Sequence, residues 1–450
     1  MFGQASVLTD PGDCLPYGYD NSRRQAMPQA VVFATEHRQI KALIQLCHRD
    51  EINLIARGRG TGTTGATVPD LGGIVLALER MNRILEIDPD NRIARVEPGV
   101  TNQALQQAVA EHGFFWPPDP TSSAICSIGG NLAYNSAGPR ALKYGTPREN
   151  TLGLTAITGR GEEITTGVRT SKGVVGYDLT RLLIGSEGTL AVITEAILKL
   201  TPLPAAKRTL RATYRDIHAA ARAVSAIMAQ PVTPYALEFM DGAAIELVRE
   251  FSQLEIDPNI GALLMVEIDG PEHCLEQSLQ EVASAARNSG LIDLHIATTD
   301  EEIAQLWRAR QSLSPALRKV APKKINEDVV VPVSKIPALI EGLELLSEDY
   351  GIRIVNFGHA GNGNIHVNLL TDPDDPAMMQ QALDCLDATF NLVLGLGGTL
   401  SGEHGIGLEK RDYIEREIDP TSLRLMQDIK RQFDPAGILN PGKIFPSPLE

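Results

Sequence analysis

Short apolar runs and amphipathic stretches alternate along the first hundred residues. Ala30 to Phe33 reads as a strand, and the spacing of apolar positions from Glu36 to about Asp50 predicts a helix. Asn53 to Ala56 is a short strand that runs into a glycine-rich loop. Gly73 to Leu78, Ile84 to Asp88 and Arg92 to Glu97 read as further strands, and Asn102 to Glu111 as a helix. From about residue 117 to 200 the pattern breaks into short apolar runs among many Gly, Pro, Ser and Thr residues. That density predicts tight turns and backbone packed close to a ligand. Leu190 to Leu200 closes the region as a strand.

The Pro-containing segment Thr201 to Lys207 marks a boundary, because the rhythm changes beyond it. Thr209 to Tyr214 is followed by Ile217 to Ala229, and Ala262 to Ile268 by Leu275 to Ser289, each pair a strand and then a helix. The pattern predicts an α+β domain of antiparallel strands covered by helices. Asp300 to Lys319 reads as another helix, Ile352 to Leu370 as a hairpin and Ser422 to Phe433 as a final helix. No internal repeat stands out.

Composition narrows the function classes. The chain has 450 residues, enough for two or three domains, and a formal net charge of −15. No Lys/Arg stripe is present, which argues against a nucleic-acid partner. No apolar stretch is long enough to span a bilayer, and the N-terminus lacks the pattern of a secretory leader. The five cysteines are scattered and form no CxxC pair, so neither an iron–sulfur site nor a disulfide framework is expected. These features suit a cytoplasmic protein, with peripheral contact at the inner face of a membrane compatible with them.

Gly60-Thr61-Gly62-Thr63-Thr64-Gly65 matches the GxGxxG dinucleotide fingerprint. A Rossmann turn requires a helix to start there, and Pro69, Gly72 and Gly73 oppose one. A better reading begins at Arg57-Gly58-Arg59-Gly60-Thr61-Gly62. Four glycines fall within eight residues, which lets successive backbone N–H groups form an anion-binding nest around a pyrophosphate. This segment resembles the pyrophosphate loop of the vanillyl-alcohol oxidase (PCMH) type of FAD domain. Three further segments, in the expected order, extend the resemblance: Pro117-Pro118-Asp119-Pro120-Thr121; Ser127-Ile128-Gly129-Gly130-Asn131 with Asn135 and Gly138; and Gly185-Ser186-Glu187-Gly188-Thr189 with Val192 and Ile193. The resemblance implies FAD contacts at Arg57, Gly58, Arg59, Gly60, Thr61, Gly62, Pro118, Thr121, Gly129, Gly130, Asn131, Asn135, Gly138, Gly188, Val192, Ile193 and Asn440. Some members of that superfamily link FAD through a His or Cys of the first loop. None lies between Arg57 and Pro69, so FAD is expected to be non-covalent.

A second constellation lies in the other half. Gly358-His359-Ala360-Gly361-Asn362-Gly363-Asn364-Ile365-His366-Val367-Asn368 reads as a hairpin whose turn carries two histidines. His366 and Asn368 share one strand face, and Ile365 and Val367 the other. Gly402-Glu403-His404-Gly405 adds a carboxylate and an imidazole. Two imidazoles and one carboxylate suit a divalent metal; a polar surface loop is the alternative. Together these segments resemble the flavin-linked D-lactate, glycolate and D-2-hydroxyglutarate dehydrogenases. The resemblance implies His359, His366 and Glu403 as metal ligands, zinc first and manganese or iron as alternatives. It also implies His404 as the base, Asn368 beside the substrate, Arg310 on its carboxylate and Ser314 as a hydroxyl one helical turn away. Asn440, in Asn440-Pro441-Gly442-Lys443, would mark the return to the flavin domain. The implied domains are 1–204 for FAD, 205–410 as an α+β cap bearing the metal, and 411–450 returning.

The expected reaction is oxidation of a small D-2-hydroxy acid to the 2-keto acid, with hydride passing to the flavin. An electron-transfer flavoprotein, a quinone or a cytochrome would reoxidise it, and a homodimer is a compatible assembly. In the D-2-hydroxyglutarate enzymes a lysine precedes a strand ending in Pro. Here Asn326 falls at that position, with Lys324 two residues away and Glu327 and Asp328 following, which favours a monocarboxylate such as D-lactate or glycolate. D-2-hydroxyglutarate oxidation, and an alcohol or sugar oxidase on the same scaffold, are the alternatives.

Overall fold

The computed structural model describes residues 2–251 and 257–446. The chain forms two compact units. The first takes residues 1–138, 144–203 and 403–450; the second takes 139–143 and 204–402. The returning segment thus opens at Glu403, earlier than the expected 411. Among the described residues no helix is long and apolar enough to cross a membrane.

In the first unit, Ala30–Phe33 and Leu54–Arg57 both pair in parallel with Ile74–Ala77. A parallel arrangement requires a crossover, and the helix His37–Asp50 supplies it by burying Ile40, Leu43, Ile44 and Cys47. A second sheet is antiparallel, in the order Ile84–Asp88, Ile93–Val96, Ala191–Lys199, Thr151–Thr158, Glu163–Gly167. Its core holds Val96, Leu105, Trp116, Leu154 and Leu198. The C-terminal segment closes the unit. Leu54 N–H donates to Ile438 O at 2.8 Å and Asn440 N–H to Leu54 O at 2.9 Å, adding a short parallel bridge to the first sheet.

The glycine loop after Leu54–Arg57 is followed by no helix before Ile74–Ala77, as Pro69 and the glycines predict. Thr151–Thr158 and Glu163–Gly167 are among the strands that escaped the sequence pattern: the first is buried on both faces at most positions, so no alternation marks it, and the second is short and rich in Thr and Gly.

The second unit is built on a seven-stranded antiparallel sheet. Its order is Leu291–Ile296, Ala206–Tyr214, Ala262–Gly270, Ala236–Asp241, Ile354–His359, Asn364–Thr371, Lys323–Val330. The helix Asp300–Val320, started by a Thr299/Glu302 capping box, lays Leu306, Ala309, Leu313 and Leu317 against Met240, Met265, Val355 and Phe357. The central strands are buried on both faces, which erases the period-two alternation that marks a strand in sequence.

Candidate active site

In the first unit the glycine loop, the start of the helix Ile128–Tyr134 and the turn before Ala191–Lys199 enclose a cavity of about 600 Å³, its open mouth included. Of the residues expected at FAD, Arg57, Gly58, Gly129, Gly130, Gly188, Val192 and Ile193 line it. The walls are backbone and small side chains for a steric reason. A Cβ on Gly58 would lie 2.5 Å from Ser127 Oγ, and one on Gly129 would lie 2.6 Å from Pro98 Cβ. Ser127 caps the helix at Gly130 N–H, and Ser127, Gly129 and Gly130 all line the cavity.

The other residues expected at FAD lie outside this lining. Asn131 is buried, accepts from Asn102 at 3.2 Å and donates to Cys126 Sγ at 3.3 Å. Pro118 O accepts from Asn102 at 2.9 Å. Asn135, at φ 59°, accepts from Arg148 N–H at 3.1 Å. Asn440 donates to Ala66 O at 2.8 Å and Glu187 O at 2.7 Å, tying the returning chain to two cavity walls. Arg59 pairs with Glu79 at 3.2 Å. Gly60 takes φ +65°, and Thr61 O and Gly62 O accept from Asn21 at 3.1 and 2.9 Å. Thr121 is exposed. Gly138 N–H donates to Glu403 Oε2 at 3.0 Å.

The sequence motifs gave no role to Glu187, yet it lines the cavity and is buried. Its carboxylate accepts from Ile406 N–H at 2.6 Å and Gly407 N–H at 2.8 Å. One buried side chain therefore joins the cavity wall to the loop that carries His404. Burial pushes its pKa up to about 7, against the two amides that favour the charged form. His404 O accepts from Thr64 at 3.2 Å, and His404 Nε2 stands 4.0 Å from Glu403 Oε1.

In the second unit the hairpin forms as expected. Ile354–His359 pairs with Asn364–Thr371 across a short turn at Ala360–Asn362, and Gly363 takes φ +73°. An imidazole nitrogen of His359 and one of His366 lie within 4.8 Å of each other, and the ring centroids are 5.3 Å apart. His359 Nδ1 meets Glu238 Oε1 at 2.5 Å, and Arg310 Nε donates to Glu238 Oε2 at 2.7 Å. Burial raises the Glu238 pKa, but the charges of His359 and Arg310 outweigh it and hold the group at about 2. Phe357 lies under the Arg310 guanidinium at 4.7 Å.

Asn368 is fully buried. It donates to Val355 O and His366 O, at 3.0 and 3.1 Å, and accepts from Asn326 at 2.7 Å, so its amide braces three strands. Ser314 accepts from Lys324 at 2.8 Å. Lys324, Asn326 and Asp328 share the sheet face of His366 and Asn368, since Asp328 is opposite His366 and Asn326 opposite Asn368. Asp328 holds Ser401 Oγ at 3.0 Å and Gly402 N–H at 2.9 Å.

Two family models cover most of the chain. "FAD linked oxidases, C-terminal domain" matches residues 203–444, and "FAD binding domain" matches residues 28–167. This chain belongs to the FAD-linked oxidase family. It is 39% identical to glycolate oxidase subunit GlcD of Bacillus subtilis, over 96% of this chain and 92% of that protein. It is 35% identical to D-lactate dehydrogenase of Archaeoglobus fulgidus, over 95% of each. The fold matches p-cresol methylhydroxylase, solved with substrate bound, at a TM-score of 0.81 and 18% identity, over 99% of this chain and 95% of that one. The protein is an FAD-linked oxidoreductase of the glycolate oxidase and D-lactate dehydrogenase family, with a PCMH-type FAD-binding fold and an α+β second unit.

Proposed function

We propose that this oxidoreductase oxidises a small D-2-hydroxy acid to its 2-keto acid, with metal-assisted substrate binding. The observation that carries the reading is the pair of imidazoles at the turn of the Ile354–Thr371 hairpin, in a chain that also has an FAD-binding domain. Flavin chemistry alone does not call for such a pair.

The donor chemistry fits a divalent cation. Glu238 takes Nδ1 of His359 and leaves Nε2 for a metal, the usual arrangement of a carboxylate behind a metal-bound histidine. Glu403 is the third ligand in this reading. Zinc is the first choice for two imidazoles and a carboxylate, with manganese or iron as alternatives.

When bound, FAD supplies the hydride acceptor and the cation a Lewis acid for the 2-hydroxyl. Arg310 orients the substrate carboxylate through the terminal nitrogens that Glu238 leaves available. His404 accepts the hydroxyl proton as the Cα–H leaves as hydride. FAD is held without a covalent bond, and acid precipitation should release it into the supernatant.

A monocarboxylate, glycolate or D-lactate, is the preferred substrate, because Asp328, a buried carboxylate on the sheet face of His366 and Asn368, would repel a second acid group. D-2-hydroxyglutarate is the second reading, favoured by Lys324 on the same strand face as Asn326. The test is anaerobic bleaching of the flavin with a panel of D- and L-2-hydroxy acids, with and without chelator. Bleaching by D-acids that stops after chelation supports the reading. Bleaching indifferent to chelator, or confined to simple alcohols and sugars, overturns it.

A further inference from the structure

Glu238 belongs to none of the motifs that mark the site, yet it touches two of their residues. It sits mid-strand in Ala236–Asp241, 1% exposed, directly across the sheet from His359. Each carboxylate oxygen meets a different donor: Oε1 at 2.5 Å from His359 Nδ1 and Oε2 at 2.7 Å from Arg310 Nε.

We infer that Glu238 is a positioning residue that fixes which nitrogen of His359 faces a metal and which edge of Arg310 faces a substrate carboxylate. The inference rests on the metal-assisted reading above and deepens it. An ionised carboxylate can only accept. His359 must therefore carry a proton on Nδ1, and in the neutral ring it is Nε2 that presents a lone pair to a cation. A guanidinium can only donate, in a planar fork of five N–H bonds. With Nε committed to Glu238 and the plane resting on Phe357, the two terminal nitrogens form the edge that a carboxylate meets end-on. One buried carboxylate thus sets the metal ligand and the substrate anchor together.

The isosteric amide separates this role from simple packing. Glu238→Gln has one acceptor and one donor group for two donors. If its oxygen faces Arg310, its NH₂ faces His359 Nδ1, which must then accept, and the ring proton moves to Nε2, where it blocks ligation. If its oxygen faces His359, its NH₂ opposes Arg310 Nε–H. Either orientation breaks one of the two contacts.

The experiment compares wild type and E238Q, both loaded with FAD, in competition titrations of Zn²⁺ against a chromophoric chelator. Flavin absorbance per protein serves as the folding control. Zn²⁺ affinity should fall about 10- to 100-fold in E238Q, the usual effect of losing a partner behind a metal ligand, with FAD content unchanged. KM for the hydroxy acid should rise as well. Equal Zn²⁺ affinity in the two proteins overturns the inference and leaves the metal reading standing. A wild type that takes up no Zn²⁺ overturns the metal reading itself. If E238Q does not fold, ¹⁵N NMR of histidine-labelled, metal-free wild type decides, with H359Q assigning the signal. In the neutral ring, a protonated Nδ1 with an unprotonated Nε2 supports the inference, and a protonated Nε2 with an unprotonated Nδ1 overturns it.

Discussion

The two units prepare their sites by opposite means. The cavity of the first unit is made by removing side chains: Gly58, Gly129, Gly130 and Gly188 bring backbone to its surface, and a single extra Cβ at Gly58 would collide with Ser127. The site of the second unit is made by crowding polar and charged side chains of the sheet and of the helix Asp300–Val320 together. Glu238, Arg310, His359 and Lys324 are each held by a neighbour. Backbone amides suit a large polyanionic cofactor that stays bound. Oriented imidazoles and a guanidinium suit a small anion that must enter, react and leave. Glu187 belongs to the first style of site but uses the means of the second, a buried carboxylate that holds backbone N–H groups.

The contrast can be broken first at His404. His404→Ala should lower turnover about 100-fold or more, the usual scale of general base catalysis, while FAD stays bound. Stopped-flow flavin reduction measures it, and an unchanged rate removes His404 from the chemistry.

Next in size is the pH dependence tied to Glu187. Its folded pKa of about 7 lies above the ordinary 4.5, so the folded state prefers the neutral form. The stability this contributes is complete below about pH 4.5 and is lost as pH rises through 7. A difference of 2.5 units corresponds to at most about 3 kcal/mol. The denaturation midpoint of wild type relative to E187Q should therefore fall across that window, and a flat difference would contradict the assignment. Glu238 has the opposite sign: its pKa of about 2 stabilises the fold above pH 4.5, and the contribution disappears as pH falls toward 2.

Arg310→Met should reduce kcat/KM about 10- to 100-fold, mostly through KM, as expected for losing a hydrogen bond between charged groups. FAD content should not change, because Arg310 belongs to the second unit. A wild-type KM would leave the substrate carboxylate without its proposed anchor.

The smallest effect is at Asn440. Asn440→Ala removes two buried hydrogen bonds at a residue with φ 42°, and should cost about 2 kcal/mol. Thermal denaturation measures the loss, and flavin retention should weaken with it because both bonds end on cavity walls.

Much of the molecule could be read from short-range pattern. The strands around the glycine loop, the helix His37–Asp50 and the hairpin with His359 and His366 all lie within a few residues of where their apolar spacing puts them. Ala236–Asp241 did not show itself, since every residue in it is buried and no alternation survives. Within the motifs, Asn131, Asn368 and Asn440 stood beside residues that line the sites, and only their hydrogen bonds show them bracing the frame.

The sequence by itself determined the glycine loop, the histidine hairpin and the Glu403-His404 turn, because each needs its residues within a dozen positions of one another. Tertiary structure alone decided what Glu238 and Glu187 do. Glu238 meets His359 across 121 positions and Glu187 meets Gly407 across 220. A carboxylate taken out of water is stable only beside partners that repay its lost hydration. Here those partners arrive from strands and loops far along the chain, and nothing local to either glutamate announces them.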